Sequence, residues 1–371
     1  MTVSDKPKIL FVLHLPPPIH GAAMVGKTIY ESNLVNDSFN CKYINLATAS
    51  SLEDIGKFRL KKFSDILRLK KMVRQTVIDF QPDLVYLTPC AGGLAFFKDY
   101  LIVQMLKRMG KKLLLHFHNK GVQKYQNNII FDFCYKRFFK DVNVMLLSSY
   151  LYPDMQRYLN EEQYHVCFNG IPEKETKHTE KKIDKEGTPN ILFLSNLLVS
   201  KGIFVLIDAC KQLKNKGVSF TCTIIGSETK EISAEELNNY IHSCGLNSEV
   251  NYVGKAYGEE KDAYLADADI FAFPTFNEAF PLVLLEAMQF GLPIISTPEG
   301  GIPDILIDSK NGLMCKQKDA DSLAEALQCL IENPDLRHKM GACGKEMYLQ
   351  KFKQTHFENQ FVNVINTVLQ Q

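Results

Sequence analysis

The chain has 371 residues, 46% of them hydrophobic and 23% charged, with a formal net charge of +1. That length exceeds what one compact core serves and suits two domains, and the composition is that of a soluble globular protein. No apolar run reaches the length of a spanning helix, no small-residue cleavage site follows the first apolar run, and the ten scattered cysteines form no C-x-x-C pair. A membrane span, a signal peptide, a zinc site and a disulfide framework are therefore not expected.

In chain order, "KILFVLHL" predicts a first strand. It is followed by "GAAMVGKT" (Gly21–Thr28), which fits the phosphate-loop pattern G-x-x-x-x-G-K-[ST] letter for letter. Further strands are predicted at "CKYINLA", "DLVYLTP", "KLLLHFHN", "VNVMLLSS" and "HVCFNGI", alternating with helical patterns, as in a parallel sheet covered by helices. Residues 172–190 are polar and charged and read as a linker. A second α/β series follows at "ILFLSN", "FTCTIIGS", "VNYVGKA", "ADIFAFPT" and "LPIISTP", and the tail from Asp319 is helical in pattern. The expected division is a domain over 1–175, a linker over 176–189, a second domain over 190–350 and a C-terminal helix, 351–371, returning to the first domain. Both domains are expected to be doubly wound and Rossmann-like, with ligands beyond the carboxyl ends of their strands and a cleft between them. The charge is split: residues 1–180 hold 25 Lys and Arg against 17 Asp and Glu, the remainder 18 against 25, as suits two domains with different partners.

The most informative stretch is "FPTFNEAFPLVLLEAMQFGLPIISTPEGGIPDIL". A strand ends near Pro274, a loop carries Glu278, and Pro281 stands where a helix would begin. The N-terminus of that helix suits a phosphate. Glu286, eight residues after Glu278, has no basic residue one turn away, so a carboxylate among apolar neighbours needs a partner, which ligand hydroxyls would supply. A surface glutamate on a core-packed helix is the plain alternative.

This stretch resembles the signature of retaining GT-B glycosyltransferases of family four, in which Glu–seven residues–Glu is followed by A-x-x-x-G-x-P and a Gly-Gly loop. The resemblance runs on through "ILFLSNLLVSKG", "TIIGS", "VNYVGKA", "CFNGI" and "NGLMC", nearly the whole chain. It implies an α/β GT-B fold and a hexosyltransferase-type enzyme. Such an enzyme moves a sugar from a nucleotide-diphosphate sugar, UDP-sugar favoured, to an acceptor hydroxyl, with retention and without metal or other cofactor. It implies Glu286 on the ribose hydroxyls and Glu278 beside the transferred sugar. Backbone N–H groups around Ala279, Phe280 and Leu282 would hold the diphosphate or sugar, with Pro281 among the donor-binding residues, and Lys201 would neutralise the leaving diphosphate. Gly254 would lie near the base, and His118 near the donor sugar with His116 its rival on the same strand face. In this family a Gly-rich turn after the first strand faces the donor phosphate, and Gly21 and Ala22 fit it. One departure is plain: the family's Arg five residues before the Lys is Asn196 here, a donor-site position without its bidentate cation.

The resemblance competes with other readings. The phosphate loop would make the chain an NTPase, but "PPPIH" separates Gly21 from its strand and no strand of the first half ends in a magnesium-binding Asp. Asn196 keeps open a catalytically weakened GT-B binding protein, and an epimerase acting on the donor alone is a third alternative. Asp267 and Asp269 form D-x-D, but before a strand rather than after it, so no metal is expected. Residues 56–75 hold eight basic residues and one Asp interleaved with apolar ones. That pattern suits a helix packed on its own domain or one docked on an anionic membrane face, and nucleic acid is not expected. The expected acceptor is a glycan or lipid-linked glycan for a cell-surface polysaccharide, and the expected location is the cytoplasm or the inner membrane face.

Overall fold

The computed structural model describes residues 6–17, 20–46, 60–174 and 187–371; residues 56–59 of the basic segment and 176–186 of the expected linker lie outside them. The chain forms two compact units, one of residues up to Asn169 together with Gln354–Gln371, the other Gly170–Lys353.

In chain order the first unit holds β1 (Lys8–Leu13), α1 (Gly21–Glu31), α2 (Asn33–Ser38), β2 (Asn40–Asn45), α3 (Leu60–Phe80), β3 (Leu84–Leu87), α4 (Gly93–Arg108), β4 (Lys112–Phe117), α5 (Val122–Tyr125), α6 (Ile129–Phe138), β5 (Asn143–Leu146) and β6 (Tyr164–Val166). Its six strands are all parallel, in the order β2-β1-β3-β4-β5-β6. Strands buried on both faces must be apolar along their whole length, which is why β1, β3 and β4 read as unbroken runs. α3 lays Leu69, Val73 and Val77 into the core, so this part of the basic segment packs on its own unit.

The second unit holds β7 (Asn190–Leu194), α7 (Ile203–Asn215), β8 (Thr221–Ile225), α8 (Ala234–Ser243), β9 (Val250–Tyr252), α9 (Gly258–Asp267), β10 (Ile270–Phe273), α10 (Leu282–Gln289), β11 (Ile294–Ser296), α11 (Ile302–Ile305), β12 (Gly312–Met314), α12 (Ala320–Glu332) and α13 (Pro334–Lys351). Its strands are again parallel, ordered β12-β11-β10-β7-β8-β9. α8 starts at a capping box, Ser233 Oγ accepting from Glu236 N–H and the Glu236 carboxylate accepting from Ser233 N–H.

The last helix, α14 (Gln354–Gln370), lies in the first unit and buries Phe357, Phe361, Ile365 and Val368 there. Phe361 reaches the rings of Tyr86 (5.3 Å) and Phe11 (6.3 Å). Gln360 accepts from Phe168 N–H at 2.9 Å, and the Lys112 ammonium donates to the Val368 carbonyl at 3.1 Å.

Each sheet has one point where the strand order reverses, between β1 and β3 in the first unit and between β7 and β10 in the second. Ligands of doubly wound sheets bind beyond the strand ends at such points. No helix among the described residues is long and apolar enough to cross a membrane.

Candidate active site

In the second unit the reversal point is built by the exits of β7 and β10. A 3-10 turn, Val199–Lys201, leaves β7 and is tied to the β10 exit, where Ser200 O accepts from Thr275 Oγ1 (3.0 Å) and Phe276 N–H (2.9 Å). Gly202 closes the turn at φ +80°, and a Cβ there would run into the Pro274 carbonyl. That glycine is required both for its left-handed backbone and for the close approach. The Lys201 ammonium is thereby set against the β10 loop, where it pairs with the Glu278 carboxylate and donates to Asn277 O at 3.3 Å. Lys201 and Glu278 thus meet, although 77 residues separate them.

The loop continues through Ala279 and Phe280, both buried, to Pro281, the residue that flanks α10. The helix itself starts at Leu282, one residue later than the sequence suggested. A second loop supports the first. Glu299 accepts from Glu278 N–H at 3.2 Å and from Gln317 at 2.8 Å, and Gly301 N–H donates to Ala279 O at 2.6 Å. Between them Gly300, at φ +53°, lies so close to the Glu278 and Ala279 carbonyls that no side chain fits.

Glu286 lies one turn into α10. The expectation that it lacks a protein partner is corrected by α9: Lys261 pairs with Glu286 Oε1 at 2.7 Å, both side chains being less than one-fifth exposed. The other oxygen, Oε2, is buried and accepts no hydrogen bond from the described residues. A buried carboxylate oxygen without a donor costs free energy until one arrives, so the site is half-satisfied. On the other side of β7, Asn196 lies in its exit loop, where the Ser195 carbonyl faces Gly226 so closely that a Cβ on Gly226 would overlap it. Gly226 N–H donates to the Gly254 carbonyl at 2.8 Å, and Gly254 (φ +83°) has open space where a Cβ would stand. Of the donor-side residues named from the sequence, Asn196, Gly254 and the Ala279–Glu286 stretch therefore lie in or after the exits of β7, β9 and β10, whereas Gly21 and Ala22 belong to the first unit.

In the first unit the reversal point carries histidines. His118 follows β4 directly, its ring centroid 4.1 Å from that of His116. His116 is fully buried and shares a 2.6 Å hydrogen bond with Tyr86 Oη through Nδ1. His14, at the exit of β1, lies 3.2 Å from Thr88 at the exit of β3, and its ring is 5.7 Å from that of His20. Burial, with His20 beside it, lowers the His118 pKa to about 3; burial, reinforced by Lys98, His20 and His118, lowers that of His14 to about 3. Both rings are neutral at ordinary pH. Behind them Lys98 and Asp99 are buried together, 3.3 Å apart, with Asp99 Oδ2 accepting from Cys90 N–H. His14, His20, Lys98 and Asp99 have no periodic signature, so no sequence pattern singles them out.

Gly21 and Ala22 are not in a turn: they open α1, with His20 Nδ1 accepting from Ala23 N–H at 3.3 Å. All of Gly21–Thr28 is helical, whereas a phosphate loop must wrap its anion before the helix starts. Gly26 is there for packing, since a Cβ would overlap the His14 carbonyl oxygen and stand 3.2 Å from Leu13 Cδ1. Lys27 is exposed opposite Glu31 at 3.8 Å, and the phosphate-loop reading is not supported. The D-x-D pair is structural: Asp269 accepts from Asn190 N–H (2.9 Å) and Asp267 from the Asn190 amide (3.3 Å) at the start of β7. All ten cysteines are unpaired, five of them buried.

Two Rossmann-like parallel-sheet units of this kind define the GT-B fold, and solved structures agree. Sucrose-phosphate synthase from Thermosynechococcus elongatus superposes with a TM-score of 0.78 at 18% identity, over 98% of this chain and 99% of its own. Anabaena Alr3699/HepE, crystallised with UDP and glucose, gives 0.74 at 17% identity, over 97% and 100%. Residues 174–347, just under half of the chain, match the model of the family "glycosyl transferases group 1". Among curated relatives, the putative colanic acid biosynthesis glycosyltransferase WcaL of Salmonella typhimurium is 27% identical over 242 residues, 63% of this chain and 59% of the relative. The chain spans about half the length of the curated relatives it matches. Together these matches make residues 174–347 similar to the group 1 glycosyltransferases and the two-unit fold similar to GT-B structures.

Proposed function

We propose that this chain transfers a sugar from a nucleotide-diphosphate sugar, UDP-sugar favoured, to an acceptor hydroxyl. Retention of anomeric configuration and independence of metal belong to the same reading. The acceptor is a glycan or lipid-linked glycan on its way to a cell-surface polysaccharide, met at the inner membrane face.

The observation that carries the reading is Glu286. Its Oε1 is fixed by Lys261 while its Oε2 is buried without a donor, so the carboxylate is oriented to accept from a ligand. Vicinal ribose hydroxyls are donors of that kind. A diphosphate would then lie towards Lys201, with the N-terminus of α10 beside it. The acceptor hydroxyl oxygen bonds to the anomeric carbon as the bond from that carbon to the diphosphate oxygen breaks with its electron pair on the diphosphate, and the hydroxyl proton passes to the leaving diphosphate. Lys201, exchanging its pairing with Glu278 for the phosphate, stabilises that charge. Glu278 positions the transferred sugar.

The test is calorimetric titration of UDP, GDP and ADP into wild type and Glu286→Gln, each with and without EDTA. One diphosphate nucleotide binds wild type, EDTA leaves it unchanged, and the variant, which keeps the shape but not the charge, binds roughly 10- to 100-fold more weakly. Equal affinity of wild type and variant removes the ribose role, and loss of binding in EDTA removes metal independence.

A further inference from the structure

Two neighbouring helices of the first unit turn large apolar side chains outward. On α6, Ile129 is 86% exposed, Ile130 63% and Phe133 52%; on α4, Leu94 is 72% and Leu101 41%. Both helices already bury an opposite face, Cys134, Tyr135 and Phe138 on α6 and Phe96, Ile102 and Val103 on α4. An amphipathic helix ordinarily spends its apolar residues on that inner face alone. The two outward faces adjoin: Phe97 of α4 packs on Phe131 of α6 with centroids 4.9 Å apart, and Gln104 donates to the Arg137 carbonyl at 3.2 Å. An apolar surface gathered in this way marks an interaction site rather than scattered surface residues.

Its rim is basic. The Arg137 guanidinium lies 3.5 Å from the Phe133 ring centroid, Lys136 follows on the same exposed side of α6, and Lys124 stands over Tyr125. From Lys120 to Arg157 there are six basic and three acidic residues. Two of those acids are engaged inward: Asp132 with Lys136 (2.6 Å), Arg157 (3.2 Å) and Tyr158 (2.8 Å), and Asp154 with the N–H groups that open α5. The face therefore has an apolar centre and an excess of positive charge around it. A second copy would bring two basic rims together, which like-charge repulsion opposes. A surface that is apolar just below a sheet of negative charge matches both features.

We propose that the α4–α6 face docks on an anionic lipid bilayer. Ile129, Ile130 and Phe133 enter the headgroup boundary while Lys124 and Arg137 meet lipid phosphates. This surface is built from residues other than 56–75, whose described part is folded onto the core through Leu69 and Val73. α4 starts in the loop that follows β3, at the strand-exit edge that carries His14 and His118, so a bilayer here would present a lipid-linked hydroxyl to that edge. That last step rests on the transferase reading; the docking itself does not.

The test is flotation of the full chain with phosphatidylcholine vesicles and with equimolar phosphatidylcholine–phosphatidylglycerol vesicles. It is run for wild type, Ile129→Ser/Ile130→Ser/Phe133→Ser and Lys124→Gln/Arg137→Gln. Wild type floats with the anionic vesicles only, the triple variant loses about tenfold or more in partitioning, and the double variant loses roughly fivefold for each charge. Wild type that floats with neither vesicle, or variants that float like wild type, overturns the proposal. So does a concentration-dependent dimer in sedimentation velocity that the triple variant abolishes, which would assign the face to a second copy. Should the triple variant misfold, the double variant decides alone, since its two side chains are exposed. Because flotation needs no donor or acceptor, its failure is distinct from failure of the proposed activity.

Discussion

Gly300→Ala probes how the loop that carries Glu278 and Ala279 is held. Gly300 sits at φ +53°, and an added Cβ would stand 2.8 Å from the Ala279 carbonyl oxygen and nearer still to that of Glu278. The left-handed backbone alone costs a non-glycine residue about 1–2 kcal/mol. Pushing two carbonyls aside adds about 1–3 kcal/mol, as for overpacking elsewhere. Gly258→Ala is the matched control, because Gly258 has nearly the same φ, +57°, with no atom within 4 Å of its Cβ position. The control isolates the backbone cost; the difference between the two variants is the wedge. At ~2 kcal/mol/M, urea unfolding followed by circular dichroism moves the midpoint of the 170–353 transition by about 0.5–1 M for Gly258→Ala. For Gly300→Ala it moves by about 1–2.5 M. If the proposed donor site is correct, UDP affinity falls only in Gly300→Ala, because Glu299 and Gly301 hold the backbone of Glu278 and Ala279. Equal midpoints for the two variants would refute the wedge, and unchanged UDP affinity would refute its coupling to the loop.

Two further outcomes concern the first unit. His14 and His118 are neutral in the folded chain down to about pH 3 but titrate near 6.5 when unfolded, so the unfolded state binds more protons and the stability they contribute above pH 6.5 is lost as pH falls toward 3. The stability advantage of wild type over His14→Gln therefore shrinks between pH 7 and pH 4 in urea titrations, and a constant gap would show that His14 is not the titrating group. Phe361→Ala removes a fully buried ring from between Phe11 and Tyr86 and costs about 3–5 kcal/mol. Hydrogen exchange then accelerates in β1 and β3 and stays unchanged in β7 and β8; uniform acceleration would contradict the assignment of α14 to the first unit.

The strands were legible because parallel strands buried on both faces must be apolar throughout, and "KILFVL", "LVYL" and "IFAF" have no other use for such runs. Glu278 and Glu286 were legible because a motif of fixed spacing carries them through one loop and one helix, and Lys201 because it stands at the end of a separate stretch, "ILFLSNLLVSKG", at the exit of β7. Lys261 was not: it meets Glu286 from another helix, and no local period reports that pairing. His14, His20, Lys98 and Asp99 converge only once β1, β3 and β4 lie side by side. The phosphate-loop pattern misled because letters do not state a conformation; in this chain the glycine of Gly26-Lys27 lets a helix press against the His14 carbonyl.

The return of α14 to the first unit sets an order of events for synthesis. Domains of a growing chain generally fold as units from the N-terminus. Here the rings of Phe11 and Tyr86 wait for Phe361, which a ribosome makes only after the whole of Gly170–Lys353. The second unit, continuous in sequence, can mature while the first is still missing a wall. An unfinished chain would therefore carry an open apolar seam along β1 and β3, a natural target for chaperones until the last helix arrives.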